Sequence, residues 1–168
     1  MTRVNRTTPD LTGFPDLVVI YLGMRALNLR GVRTLRRVDK QIRQSVSDEP
    51  DGLLRHEMLI YSLLPPHVGM RQYWRDLDAM ERWTRTGTHR QWWTDYLRDP
   101  AGTGFWHETY FIGGGMEAIA VDMPDPLGML SFAPIQQARG AMFSARQRAG
   151  QVGSAPSAVI PEHEFEPA

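Results

Sequence analysis

The chain has 168 residues, equal numbers of basic and acidic side chains and 42% hydrophobic residues, an ordinary globular composition. A formal net charge of zero offers no electrostatic footprint for nucleic acid or an anionic membrane, so neither is expected as a partner. The absence of cysteine excludes disulfides, thiolate metal sites and cysteine nucleophiles.

Taken from the N-terminus, residues 1–15 read as a flexible arm closed by Pro15. The arm is polar and carries no apolar stretch of the secretory type, which with the lack of cysteine predicts a cytoplasmic protein. A single domain is expected over 16–148, and the Pro-, Ser- and Glu-rich residues 149–168 are expected to be disordered. Within the domain, Leu17 to Leu22 is a dense β-forming run, too short to span a bilayer. Residues 31–47 read as a helix, because Leu35, Val38, Ile42 and Val46 recur at spacings of three and four while arginines and Lys40 fill a solvated face.

Leu53 to Leu63 predicts a second strand, with Leu54, His56, Met58 and Ile60 on one face. Pro65-Pro66 breaks the chain, and Val68 to Trp74 predicts a third strand. Asp76 to Arg85 predicts a short helix that stops near Gly87. A second helical piece follows, in which His89, Trp92, Trp93, Tyr96 and Leu97 form an amphipathic stripe. The aromatic stretch 105–112 is a fourth strand, its alternation placing Phe105, His107, Thr109 and Phe111 opposite Trp106, Glu108, Tyr110 and Ile112. Gly113-Gly114-Gly115 predicts a hairpin into a last strand over Met116 to Asp122, and 138–148 predicts a short helix.

This order, strand–helix–strand–strand–helix–strand with an added hairpin strand, is that of an α+β, ferredoxin-like antiparallel sheet with helices on one face. The other sheet face is left apolar and in want of a partner, which a homodimer supplies.

The chemistry-bearing residues cluster in three strands and one helix. His107, in an aromatic row on a rigid element, has the attributes of a general base, a substrate-orienting donor or an axial haem ligand; a buried core histidine satisfies the same pattern. His56 shares a cavity with His107 if their strands lie close. Arg71 and Tyr73 suit an oxygenated substrate group, or an edge-strand surface. Nine methionines and five tryptophans suit a pocket for a bulky apolar ligand, a core or a dimer interface. No His-Glu-x-x-His, phosphate-cradling loop with Lys, or Gly-x-Ser-x-Gly occurs, so those metal, nucleotide and hydrolase motifs are excluded and no metal site is expected.

The succession Asp16-Leu-Val-Val-Ile-Tyr-Leu-Gly-Met-Arg, Gly52-Leu-Leu-Arg-His-Glu-Met-Leu, Val68-Gly-Met-Arg-Gln-Tyr-Trp-Arg, His89-Arg-Gln-Trp-Trp and Gly102-Thr-Gly-Phe-Trp-His-Glu-Thr-Tyr resembles an uncharacterised bacterial and fungal group. That group is related to the antibiotic-biosynthesis-type (ABM-like) monooxygenases, and the resemblance runs from about residue 14 to residue 145. It implies a dimeric α+β barrel with a cavity between sheet and helices. It further implies oxidation of an aromatic or polyketide-type small molecule with O₂ and no cofactor, in secondary metabolism. His107 is then the expected base or orienter. Trp92, Trp93, Trp106 and Tyr110 become flat walls of the cavity, with His56, Arg71 and Tyr73 as further substrate contacts. The same barrel superfamily includes haem proteins such as aldoxime dehydratases, in which a histidine ligates iron. The alternatives implied are therefore a haem b-dependent dehydratase or lyase with His107 as axial ligand, and a non-catalytic ligand-binding dimer.

Overall fold

The computed structural model describes residues 5–85, 87–114, 116, 118, 120–121, 128–142 and 148. The chain forms two compact units, one from Leu17 to Tyr110 and the other from the segments on either side of it.

The Leu17–Tyr110 unit carries the ferredoxin-like elements. Strand β2 (Val18–Ala26), helix α1 (Leu29–Ser47), strands β3 (Leu53–Leu63) and β4 (Pro66–Trp74), helices α2 (Leu77–Arg85) and α3 (Gly87–Arg98) and strand β5 (Thr103–Phe111) follow in that order. The sheet order is β3-β4-β2-β5, and β4 pairs antiparallel with both its neighbours.

Helices cover one face of this sheet. Val18 and Ile20 from β2 and Trp74 from β4 pack with Ala79 and Met80 of α2, and Leu22, Leu53 and Trp83 close around them. Each such large apolar side chain contributes ~1.5–3 kcal/mol on burial. A bulge between Leu53 and Arg55 sets Leu53 opposite Trp74, so Leu53 joins this core where plain alternation points to Leu54.

Helix α1 starts at Asn28, whose side chain accepts a hydrogen bond from the Gly31 amide at 3.1 Å. The start is held close to the turn before β5. Thr34 Oγ1 donates to the Ala101 carbonyl at 2.9 Å, and a Cβ on Gly31 would stand 2.1 Å from the Gly102 carbonyl oxygen. Only glycine permits that approach. Asp76 caps α2 by accepting from the Ala79 amide at 2.7 Å.

The second unit is built on β1 (Arg6–Pro9), which pairs antiparallel with both β6 (Ala120–Val121) and β7 (Ile135–Gln137) in a three-stranded sheet. Two sequence expectations are corrected here. Residues 6–9, expected within a flexible arm, form the central strand of this sheet. Among the described residues, Ile112–Gly114 make a 3-10 turn where a hairpin was expected after β5, and Ala120–Val121 pair with Arg6 and Thr7. A glycine run frees the backbone but specifies no register, so the partner is chosen elsewhere. Gly140–Met142 form a 3-10 turn in place of a helix start, and residues 143–147 and 149–168, where the rest of that helix and the tail were expected, lie outside the described residues. Among the described residues no helix is long and apolar enough to cross a membrane.

Candidate functional site

The helix-covered face of the sheet holds an apolar cleft. Its floor is Leu22 and Met24 of β2, Met58 of β3 and Val68 and Met70 of β4, and its roof is Leu35, Val38 and Ile42 of α1. Its volume is about 30 Å³, room for one water-sized body. The carboxylate at its wall is Asp39, which accepts from Arg43 Nε at 2.9 Å on the next helical turn.

The next row of the floor is polar. His56 of β3 stands opposite Gln72 of β4, beside the Met58–Met70 row that lines the cleft. Trp74 Nε1 donates to Gln72 Oε1 at 3.2 Å, and Gln72 Nε2 lies 3.2 Å from His56 Nδ1. Trp74 and Gln72 are fully enclosed, at 0% and 1% exposure. The remaining ring nitrogen, His56 Nε2, is buried and has no hydrogen-bond partner among the described residues. A buried donor or acceptor left so costs ~1–3 kcal/mol, and each such atom in a native protein calls for a reason. Desolvation pulls the His56 pKa below its ordinary value, and the nearby Arg43 charge adds to this.

An aromatic series leads away from Trp74 through the helices. Trp83 lies 5.3 Å from Trp74, His89 lies 4.7 Å from Trp83, and Trp92 lies 5.9 Å from His89, measured between ring centroids. His89 Nδ1 donates to the Thr84 carbonyl at 2.9 Å, and desolvation lowers its pKa. The side chain of Trp93 lies outside the described residues.

His107 is exposed. It stands on the helix-covered face, 5.9 Å from Phe105, which in turn meets Tyr96 of α3. β3 and β5 are the two edges of the sheet, with two strands between them. His56 and His107 are therefore about three strand spacings, ~14 Å, apart, and neither lines the cleft itself.

The other sheet face gathers the remaining expected contacts. Tyr21, Arg71 and Glu57 stand in one cross-strand row. Arg71 donates to Glu57 at 2.7 Å and to the Tyr21 hydroxyl at 2.9 Å, and its guanidinium lies 5.4 Å from the Tyr73 ring centre. Burial opposes the Arg71 charge, but these partners outweigh it and raise its pKa. Burial also pushes the Tyr73 phenol up to about 12. Tyr110 meets Tyr21 edge-on at 5.8 Å and donates to Glu108.

Trp106 donates to His67 Nε2 at 2.9 Å, and Tyr61 packs on both rings. Gly23 and Gly69, directly opposite each other, make room for this group: a Cβ on Gly23 would sit 2.7 Å from Trp106 Nε1, and one on Gly69 would sit 2.6 Å from the Tyr61 ring. The residues expected to form one site are thus divided. Arg71, Tyr73, Trp106 and Tyr110 lie on one face, and His56 and His107 on the other, while Trp92 belongs to the helix layer.

Residues 17–129, two thirds of the chain, match the Monooxygenase af470-like family. The chain belongs to this family. The fold of this chain is similar to that of two aldoxime dehydratase crystal structures, one of them OxdRE in complex with butyraldoxime. These are 19% and 18% identical, cover 89% and 92% of this chain, and superpose with a TM-score of 0.66 each. This chain spans 45% and 48% of those two dehydratases, less than half of either. SnoaB, a cofactor-independent oxygenase from Streptomyces nogalater, is 18% identical over 56% of this chain and 91% of its own, with a TM-score of 0.45. A search of curated proteins finds no match.

Haem is the group that the fold class admits, and it needs a free imidazole lone pair. Among the described residues the two histidines considered for it do not fit: Gln72 Nε2 can only donate to His56 Nδ1, which leaves the ring proton on Nε2, and His107 is exposed on an edge strand. Among the described residues, no three or more His, Asp or Glu converge to hold a metal ion. The sequence reading missed Gln72 and Asp39. Gln72 had a signal: it is a polar residue in the same alternation class as Val68, Met70 and Trp74, where an amide must find partners inside.

Proposed function

We propose that the protein is a monooxygenase for an electron-rich aromatic or polyketide-type small molecule, held between α1 and the sheet and oxidised without a cofactor. The observation that carries this reading is the cleft itself, an apolar trough whose next floor row is a buried polar chain ending in an unpartnered imidazole nitrogen. Apolar walls with a few placed polar groups are how proteins bind such molecules. At about 30 Å³ the trough admits a polycyclic ligand only if its walls move. Met24, Met58 and Met70 supply that freedom, since the thioether chain repacks easily, and Met58 is already 38% exposed.

Without a cofactor the substrate must supply every electron. A CH₂ between aromatic rings that also share a ketone, as in an anthrone, meets this requirement. That carbon is acidic, and loss of its proton to water before the substrate is enclosed gives an enolate, whose carbon is oxidised to a ketone. One atom of O₂ enters the ketone, and the other leaves as water with the two hydrogens of the CH₂. The protein's part is to bind the flat skeleton, exclude water and stabilise the enolate oxygen. His56 takes the orienting role expected of His107, because its buried Nε2 lies in the strand row next to the cleft. The working form is a homodimer, for which the exposed Ile60 and Leu63 on edge strand β3 and Leu64 just after it provide apolar contact surface.

The test is oxygen uptake by purified protein given dithranol, a hydroxylated anthrone. The expected result is one O₂ consumed per quinone formed, faster than in buffer alone. Val38→Trp, which fills the cleft from α1, is expected to lower kcat/KM at least about tenfold with the fold retained. Oxidation at the buffer rate, or a Val38→Trp variant as active as the parent, rejects the cleft as the site.

A further inference from the structure

We infer that His56 is a fixed hydrogen-bond donor, held in one tautomer by Trp74 through Gln72, and that it binds an acceptor oxygen on the substrate. This rests on the cleft being the substrate site.

The argument begins at the indole. Trp74 Nε1–H can only donate, and the whole side chain is buried, so water does not serve it. Its partner at 3.2 Å must therefore be the oxygen of the Gln72 amide. That orientation leaves Gln72 Nε2, a pure donor, facing His56 Nδ1 at 3.2 Å. The Nδ1 lone pair must accept, and the ring proton of a neutral His56 resides on Nε2. The opposite tautomer sets N–H against N–H. Turning the amide to relieve that clash sets the indole N–H against an NH₂ group, at side chains withdrawn from solvent. The imidazolium fails for the same reason, since it places a proton on Nδ1.

The outcome is an N–H, buried and unpartnered among the described residues, in the floor row next to the cleft. Such a group cannot remove a proton. It receives one acceptor: a phenolate, enolate or carbonyl oxygen at the rim of an apolar skeleton. His56 thus selects substrates that carry an oxygen conjugated with the carbon to be oxidised, and Gln72 and Trp74 are positioning residues behind it.

The experiment uses the full-length protein labelled with ¹⁵N. Two-bond ¹H–¹⁵N correlation spectra near neutral pH, with the signals assigned by His56→Gln, are expected to show Nε2 protonated and Nδ1 unprotonated. Gln72→Met, which keeps the side-chain length, should yield a mixture of tautomers in a folded protein. A role in packing alone would leave the tautomer unmoved.

In parallel, 1-naphthol and 1-methylnaphthalene are titrated as probes of equal shape. The parent protein is expected to prefer 1-naphthol about tenfold, with a shift of the His56 Nε2 signal, and His56→Phe to lose the preference. A proton on Nδ1, or equal affinity without a shift, overturns the inference. Dithranol oxidation by a protein with the reversed tautomer removes the donor role and leaves the oxygenase reading standing. The predicted tautomer and naphthol preference without any oxidation has the converse effect.

Discussion

Trp74 has one polar atom and a single way to use it, and the consequences reach His56 on the adjacent strand. His56 and His89 both have pKa values lowered by desolvation, so each resists protonation in the fold while the unfolded chain takes up a proton near pH 6.5. Their contribution to stability is complete above pH 6.5 and is lost as the pH falls through the lower folded-state values. A series of thermal melts should show Tm declining below that pH, and less steeply in His56→Gln, with the remainder due to His89. A flat profile would place His56 in water. Arg43 and Arg55 reinforce the shift, and Glu57 opposes it.

The Glu57–Arg71 pair supplies a second residue-scale prediction. Glu57 is 11% exposed and Arg71 26%. Glu57→Gln leaves a half-buried guanidinium short of its countercharge, at ~2–3 kcal/mol by chemical denaturation, less than a fully buried pair because solvent reaches Arg71. The residue types at these positions were readable as candidate contacts. Their division between two faces was partly readable too, because alternation separates Trp106 from His107 and Arg71 from Gln72. Enclosure was not readable, since His56 and His107 sit in equally apolar sequence surroundings.

At the scale of elements, local pattern served well wherever a periodic apolar run was long. The helix expected over 31–47 is α1, Leu29–Ser47, and the strand expected at 53–63 is β3 at those residues. Its N-terminal boundary belongs to Asn28, and Asn28→Ala should destabilise the protein by ~1 kcal/mol in urea titration with an unchanged m-value. Gly23→Ala brings a methyl group against the Trp106 indole, within 2.7 Å. A shifted Trp106 fluorescence and a lower Tm are expected, whereas a silent substitution would show that the ring does not rest on that strand. Short elements defeated the pattern differently: residues 6–9 were expected as arm, and the strand expected over 116–122 was assigned the wrong partner. β1 and β6 span only Arg6–Pro9 and Ala120–Val121, and each is a strand because of a partner more than a hundred positions away. The bulges in β3 were likewise invisible, because an extra residue leaves composition unchanged.

For the whole molecule, the expected assembly is a homodimer, to be checked by sedimentation velocity at micromolar concentration. Leu63→Lys with Leu64→Lys at the tip of the β3–β4 hairpin, where both leucines are exposed, should shift the protein to monomer without unfolding it. A monomeric parent chain removes the dimer from the proposal.

The sequence by itself determined the α+β class, the order of the ferredoxin-like elements and which side chains share a strand face, because periodicities of two and three to four residues are local properties of the backbone. Only the tertiary structure decided that β3 and β5 occupy opposite edges, that α1 roofs a cleft beside His56, and that His107 stands exposed. Strand order and helix placement depend on contacts between distant segments, and those contacts, not the identity of the residue, decide which imidazole is withdrawn from water.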